Sequence, residues 1–123
     1  MTERLWGLRG AAQAAENDAE SILGATRELL GALMSRNDLE PASFVSVIFT
    51  CTDDLDAEFP AVAARELGLD RVPLLCNREI DVPGAMPRVI RLLAHYYAPA
   101  DHEPEHVYLG ETRRLRADLH SAQ

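Results

Sequence analysis

Lysine is missing from this sequence: all twelve basic side chains are arginine, set against twenty acidic ones for a formal net charge of −8. Neutralising phosphates requires a basic surface, so the acidic balance argues against nucleic acid as a partner. The one-sided choice of cation has a bland source and a sharper one. Arginine and lysine are both adequate solubilising residues, so a genome whose base composition favours arginine codons suffices. The sharper source is a set of guanidiniums that grip the carboxylates of a small anionic ligand in bidentate pairs, and the two are compatible. Also missing are a run of about 18 apolar residues, the length that crosses a bilayer, and a basic segment leading into an apolar one. The expected location is therefore cytoplasmic, with no membrane partner. The two cysteines, Cys51 and Cys76, each close an apolar segment; they make no disulfide framework and fit a reducing compartment. There is no glycine-rich phosphate loop, internal repeat or low-complexity stretch.

What is present suits a globular protein. At 47% hydrophobic and 26% charged the chain is too apolar for disorder, and 123 residues make one domain, 1–123, able to bury roughly two thirds of its unfolded surface. Glu3 to Arg9 alternates polar and apolar side chains as a first strand does, which puts Arg9 at a strand end beside Gly10 and able to aim into a cleft. Asn17 and Glu20 have capping-box spacing, and Ile22, Thr26, Leu29, Leu30 and Leu33 recur at helical intervals up to a C-cap at Asn37. Gly24 and Gly31 weaken this long helix by about 1 kcal/mol each relative to alanine, so packing against a sheet must hold it. Phe44 to Cys51 is apolar on both faces, the mark of a buried strand. Pro60 opens a short helix over Ala61 to Leu67 that Gly68 ends. His106 to Leu109 reads as a brief last strand, and Glu111 to Gln123 as a polar, partly ordered tail with Leu115 and Leu119 as its apolar points.

The densest chemistry lies between Val72 and Tyr97. Val72 to Cys76 reads as a strand ending at Asn77, with Glu79 just past it, where a strand hands over to a loop. The turn signal Asp81-Val-Pro-Gly84 brings Arg91 back beside Glu79. Arg88 to Tyr97 fits two periods. Val89, Ile90, Leu92 and Leu93 suit a helix, while Pro87 and the β-branched and aromatic content favour a buried strand, the preferred reading. Thiol, carboxylate and guanidinium then lie close together, and residue types alone do not decide between a plain ion pair and a ligand-binding one. The fold class is α+β or α/β: a mixed sheet packed by one long and one short helix. His102-Glu-Pro-Glu-His106 spells the H-E-x-x-H zinc motif, but Pro104 breaks the helix that would set the histidines one turn apart, and no third ligand is apparent. No metal is expected, and His95 and His120 read as structural or solvated.

Gly7-Leu-Arg-Gly-Ala11, Asp54-Leu-Asp-Ala-Glu-Phe-Pro-Ala61, Ala64-Arg-Glu-Leu67, Val72-Pro73 with Cys76, Glu79-Ile-Asp-Val82, Ile90-Arg91, and His106-Val-Tyr-Leu109 with Leu115-Arg116 follow one another in an order and spacing that carry a resemblance. Over nearly its whole length the chain resembles the monofunctional chorismate mutases of the small trimeric bacillus type, the AroH class. The resemblance implies conversion of chorismate to prephenate, in aromatic amino-acid biosynthesis by the shikimate pathway, with no metal, cofactor or covalent intermediate. It implies a homotrimer whose sheets form a pseudo-α/β-barrel, with sites in the clefts between subunits. It matches Arg91 to the cation beside the breaking ether oxygen, Arg9 to the arginine on the enolpyruvyl carboxylate and Tyr108 to a nearby hydrogen-bond donor. Glu79 and Cys76 match the pair at the ring hydroxyl. Phe59, Ala61 and Leu115 match pocket walls, while Arg65 and Arg116 match arginines near the ring carboxylate and the pocket mouth. Val62 replaces a frequent lysine of the class and Leu75 a threonine.

Such a rearrangement transfers no proton, so help must come from holding the chair-like conformer and stabilising charge on the ether oxygen as its bond to carbon lengthens. A guanidinium, permanently charged and rigid, suits that task. The reading from a different class is a trimeric, non-catalytic module that binds a small carboxylate as a sensor.

Overall fold

Five strands form one mixed sheet in a computed structural model that describes residues 2–119. In chain order the elements are β1 (Glu3–Gln13), α1 (Ala19–Arg36), a 3-10 turn (Pro41–Ser43), β2 (Phe44–Cys51), α2 (Ala61–Glu66), β3 (Leu74–Arg78), β4 (Val89–Pro99), β5 (Val107–Tyr108) and a 3-10 segment (Gly110–Leu119) kinked at Arg116. Across the sheet they run β3-β2-β4-β1-β5. β4 is antiparallel to both neighbours, whereas β3 lies parallel to β2 and β5 parallel to β1. No helix among the described residues is long and apolar enough to cross a membrane.

Strand alternation sorts the side chains onto two faces. Leu8, Val47, Phe49, Ile90, Leu92, Ala94 and Tyr96 are buried on one face, and Ile22, Leu29, Leu30 and Leu33 of α1 belong to the same core cluster. Each such leucine contributes about 1.5–3 kcal/mol by leaving water, enough to offset the two helix glycines. On the other face Leu5, Leu75, Leu93 and Tyr97 stay exposed.

Several sequence expectations meet corrections. Asp18, not Asn17, caps α1: it is extended, and its Oδ1 accepts the Ser21 N–H at 2.7 Å. A carboxylate there also suits the positive end of the helix dipole. Asn17 instead ties α1 to the loop before α2, donating to Asp56 and accepting the N–H groups of Asp56 and Ala57. β1 continues to Gln13 because Gly10, Ala11 and Ala12 pair with Leu92, Arg91 and Ile90, so Arg9 lies inside the strand and not at its end. β3 starts at Leu74 and runs past Asn77, since the ladder Thr50↔Asn77 and Cys51↔Arg78 overrides the turn preference of asparagine. The stretch Arg88 to Tyr97 resolves as strand only from Val89, and the strand extends to Pro99; Arg88 itself stays outside it at φ +54°. Of the tail, Gly110–Leu119 is 3-10; His120 and the residues after it lie outside the described range.

Candidate active site

One row of the open face holds Asn77, Thr50, Arg91, Ala11 and Tyr108, paired in turn across all five strands. Ala11, between Arg91 and Tyr108, is fully buried. Arg9 stands in the next row of this face, paired with Leu93. Glu79 follows the end of β3, and its N–H donates to Cys51 O at 2.8 Å, carrying the β2–β3 ladder one residue further. Its Oε1 accepts the Thr50 hydroxyl at 2.5 Å and lies 3.3 Å from Arg91 Nε. That Nε is buried and makes no hydrogen bond among the described residues, so the contact is an ion pair without hydrogen-bond alignment. Arg91 is nevertheless 43% exposed, which leaves the terminal nitrogens of its fork accessible.

The return of the chain to β4 is tightly held. Gly84 takes φ +86°, the left-handed region glycine tolerates, in the expected turn. Arg88 adopts φ +54°, rare for a side chain with a Cβ. Its N–H is gripped by both Asp54 carboxylate oxygens at 3.1 and 3.0 Å, and its Nε donates to Ala14 O at 3.0 Å. On β1 the Arg9 N–H donates to His106 Nδ1 at 2.9 Å, which requires the neutral imidazole with its proton on Nε2. Burial, then the Arg9 charge, hold His106 below the ordinary histidine pKa. His102, the other histidine of the zinc-like motif, meets Tyr96 Oη at 2.7 Å.

A second set of the expected residues gathers elsewhere. Cys76 pairs with Phe49, a core residue, so it points to the face opposite Arg91. There it lines a cleft of about 370 Å³ with Phe59, Pro60, Leu55, Cys51 and Arg78. Thiol and guanidinium therefore do not meet within one chain, contrary to the expectation from their nearness in sequence; the odd spacing of Cys76 and the Asn77–Arg91 row puts them on opposite faces. Phe59 is 66% exposed at this cleft, with Ala61 buried behind it and Arg65 exposed on α2. Burial and, second, the neighbouring Cys76 push the Cys51 thiol up to about 11, which leaves it protonated and inert. Leu115 lines another cleft with Gln13, Met86 and Pro87, and Arg116 has a buried Nε with no hydrogen-bond partner among the described residues.

The family model for chorismate mutase type I matches residues 5–119. The chain belongs to that family. It is 49% identical over 119 residues to the chorismate mutase AroH of Thermus thermophilus, covering 95% of this chain and 98% of that one. Against the chorismate mutase AroH of Bacillus subtilis (strain 168) it is 36% identical over 115 residues, 92% of this chain and 91% of the other. A solved structure, the chorismate mutase from Clostridium thermocellum Cth-682, superposes with a TM-score of 0.83 at 40% identity, covering 89% of this chain and 98% of that chain. The chain is thus a chorismate mutase, an isomerase, and the sensor reading finds no support among these relatives.

Sequence reasoning did not single out the Thr50 contact with Glu79, the hold of Asp54 on Arg88, or Arg78, which pairs with Asp53 at 2.9 Å beside the Phe59 cleft. Thr50 and Glu79 are 29 residues apart and only strand register joins them.

Proposed function

We propose that chorismate binds between two copies of this chain, one supplying the Arg9, Glu79, Arg91, Tyr108 group with Leu115 and Arg116, the other the Phe59, Ala61, Arg65, Cys76 group. The observation that carries this reading is the placement of the two groups on opposite faces of one sheet, where no small ligand reaches both. The exposed apolar side chains Leu5, Leu75, Leu93 and Tyr97 beside the arginines support burial of the open face against another copy. A homotrimer with three such clefts satisfies both.

Within the cleft Arg9 takes the enolpyruvyl carboxylate and Arg65 the ring carboxylate, which together hold the chair-like conformer. Arg116 stands at the mouth, and Phe59, Ala61 and Leu115 form apolar walls that keep water from the reacting carbons. As the C–O bond lengthens ahead of C–C bond formation, negative charge grows on the ether oxygen. Arg91 meets that charge with a cation that cannot lose its proton, and Tyr108 donates nearby. Glu79 and Cys76 orient the ring hydroxyl. No proton changes hands.

Complementation tests the shared cleft. Arg91→Ala and Phe59→Asp chains, each inactive alone in following chorismate absorbance, are unfolded, mixed and refolded together. Mixed trimers contain some clefts with both halves intact, so activity returns; a mixture that stays inactive defeats the shared cleft. Sedimentation of the unmixed protein is expected at three times the 13.6 kDa chain mass.

A further inference from the structure

We propose that Thr50 is a positioning residue of the site, whose hydroxyl keeps Glu79 from collapsing onto Arg91 and presents the free Glu79 oxygen to the substrate. The inference rests on the reading above that Glu79 receives the ring hydroxyl.

A carboxylate beside a guanidinium has a strong preference for the parallel two-bond fork. Glu79 and Arg91 are close enough to approach it and have not formed it: one contact of 3.3 Å joins Oε1 to Nε, without hydrogen-bond alignment. The competing bond is to Thr50. Its hydroxyl donates to the same Oε1 at 2.5 Å, a length typical of a hydroxyl bonded to a charged acceptor. Thr50 can impose this because its own position is fixed twice over. It sits in β2 between β3 and β4, paired with Asn77 on one side and Arg91 on the other, and its branched Cβ restricts χ1. Glu79 is pinned at the other end by its N–H to Cys51 O. With both ends held, the carboxylate turns one oxygen to Thr50 and Arg91. Oε2 makes no hydrogen bond among the described residues. Ionised, it retains acceptor capacity for a ligand hydroxyl.

A fork between Glu79 and Arg91 would harm the reaction twice. It would occupy the acceptor meant for the ring hydroxyl and neutralise the cation meant for the ether oxygen. Arg9, one row away, would still bind carboxylate. The effect of losing the Thr50 hydroxyl therefore falls on turnover more than on binding.

Thr50→Val removes the hydroxyl and keeps the shape, whereas Thr50→Ser keeps the hydroxyl. We expect Thr50→Val to lower kcat at least about tenfold with KM changed less than about threefold, and Thr50→Ser to restore kcat to within about threefold of the parent. In a Glu79→Gln background the same Val substitution is expected to add less than about a twofold loss, because the carboxylate it positions is gone. A Thr50→Val kcat within about twofold of the parent, or losses that multiply in the double variant, overturns the role. If Thr50→Val does not fold, Thr50→Ala gives the same comparison. A Glu79→Gln chain of unchanged kcat defeats instead the role assigned to Glu79, so the two failures are told apart.

Discussion

The imidazole of His106 accepts the backbone N–H of Arg9 at 2.9 Å, so the strand that carries Arg9 is tied to the β5 side by a bond that only neutral histidine can make. Burial and the Arg9 cation lower the His106 pKa from its usual 6.5. As pH falls below that value the unfolded chain takes up the proton first and binds more protons than the native one, so stability drops until the folded pKa is passed. His106→Asn offers an oxygen acceptor that does not titrate. Between about pH 7.5 and pH 5.5 its urea midpoint is expected to fall less than that of the parent; equal falls would mean that His106 is protonated in the native state without loss of the strand contact.

Arg91→Ala removes the cation assigned to the ether oxygen. The expected loss in kcat/KM is roughly 3 kcal/mol or more, comparable to deletion of an oxyanion-hole donor. Arg91→Lys keeps the charge without the fork and is expected to fall between. An Arg91→Ala chain with unchanged turnover of chorismate would remove this residue from the reaction.

Gly10 marks the close approach of β1 to β5. A Cβ there would sit 3.0 Å from Leu29 Cδ1 and 3.1 Å from the Val107 carbonyl oxygen. Gly10→Ala must push β5 outward and Tyr108 with it, at a cost of about 1–3 kcal/mol in urea unfolding. An unshifted midpoint would show that the pairing of Gly10 with Val107 has slack.

Asp54 holds Arg88 in its left-handed conformation, which costs about 1–2 kcal/mol by itself. Both carboxylate oxygens accept the Arg88 N–H, and the Thr52 hydroxyl donates to Oδ1 at 2.6 Å while accepting the Val89 N–H at 3.0 Å. Asp54→Ala is expected to lose about 1–2 kcal/mol of stability, and to lower activity as well because β4 carries Arg91 three residues on. Stability lost with activity kept would separate the turn from the site.

The elements that were legible in the sequence are those written in local pattern. The apolar spacing of Ile22, Leu29, Leu30 and Leu33 and the Asn37 cap marked α1, and Gly68, at φ +100°, marked the end of α2. Local patterns failed where pairing decided. Nothing in Gly10-Ala-Ala says strand until Leu92, Arg91 and Ile90 supply the ladder, and neither Asn17 nor Asp18 announces which will cap, since both types accept the same bond.

The sequence by itself determined the residue types that this chemistry needs, the order and spacing by which the family is recognised, and the buried stripe of α1, because these follow from side-chain chemistry and from the 3.6 period; Phe44 to Cys51, apolar on both faces by sequence, buries only one. Only the tertiary structure decided which of those residues meet. Register places Thr50 beside Arg91 and sends Cys76 to the opposite face, and a shift of one residue would exchange the two. That information resides in the hydrogen-bond ladder between strands distant in sequence, which no single stretch of the chain contains.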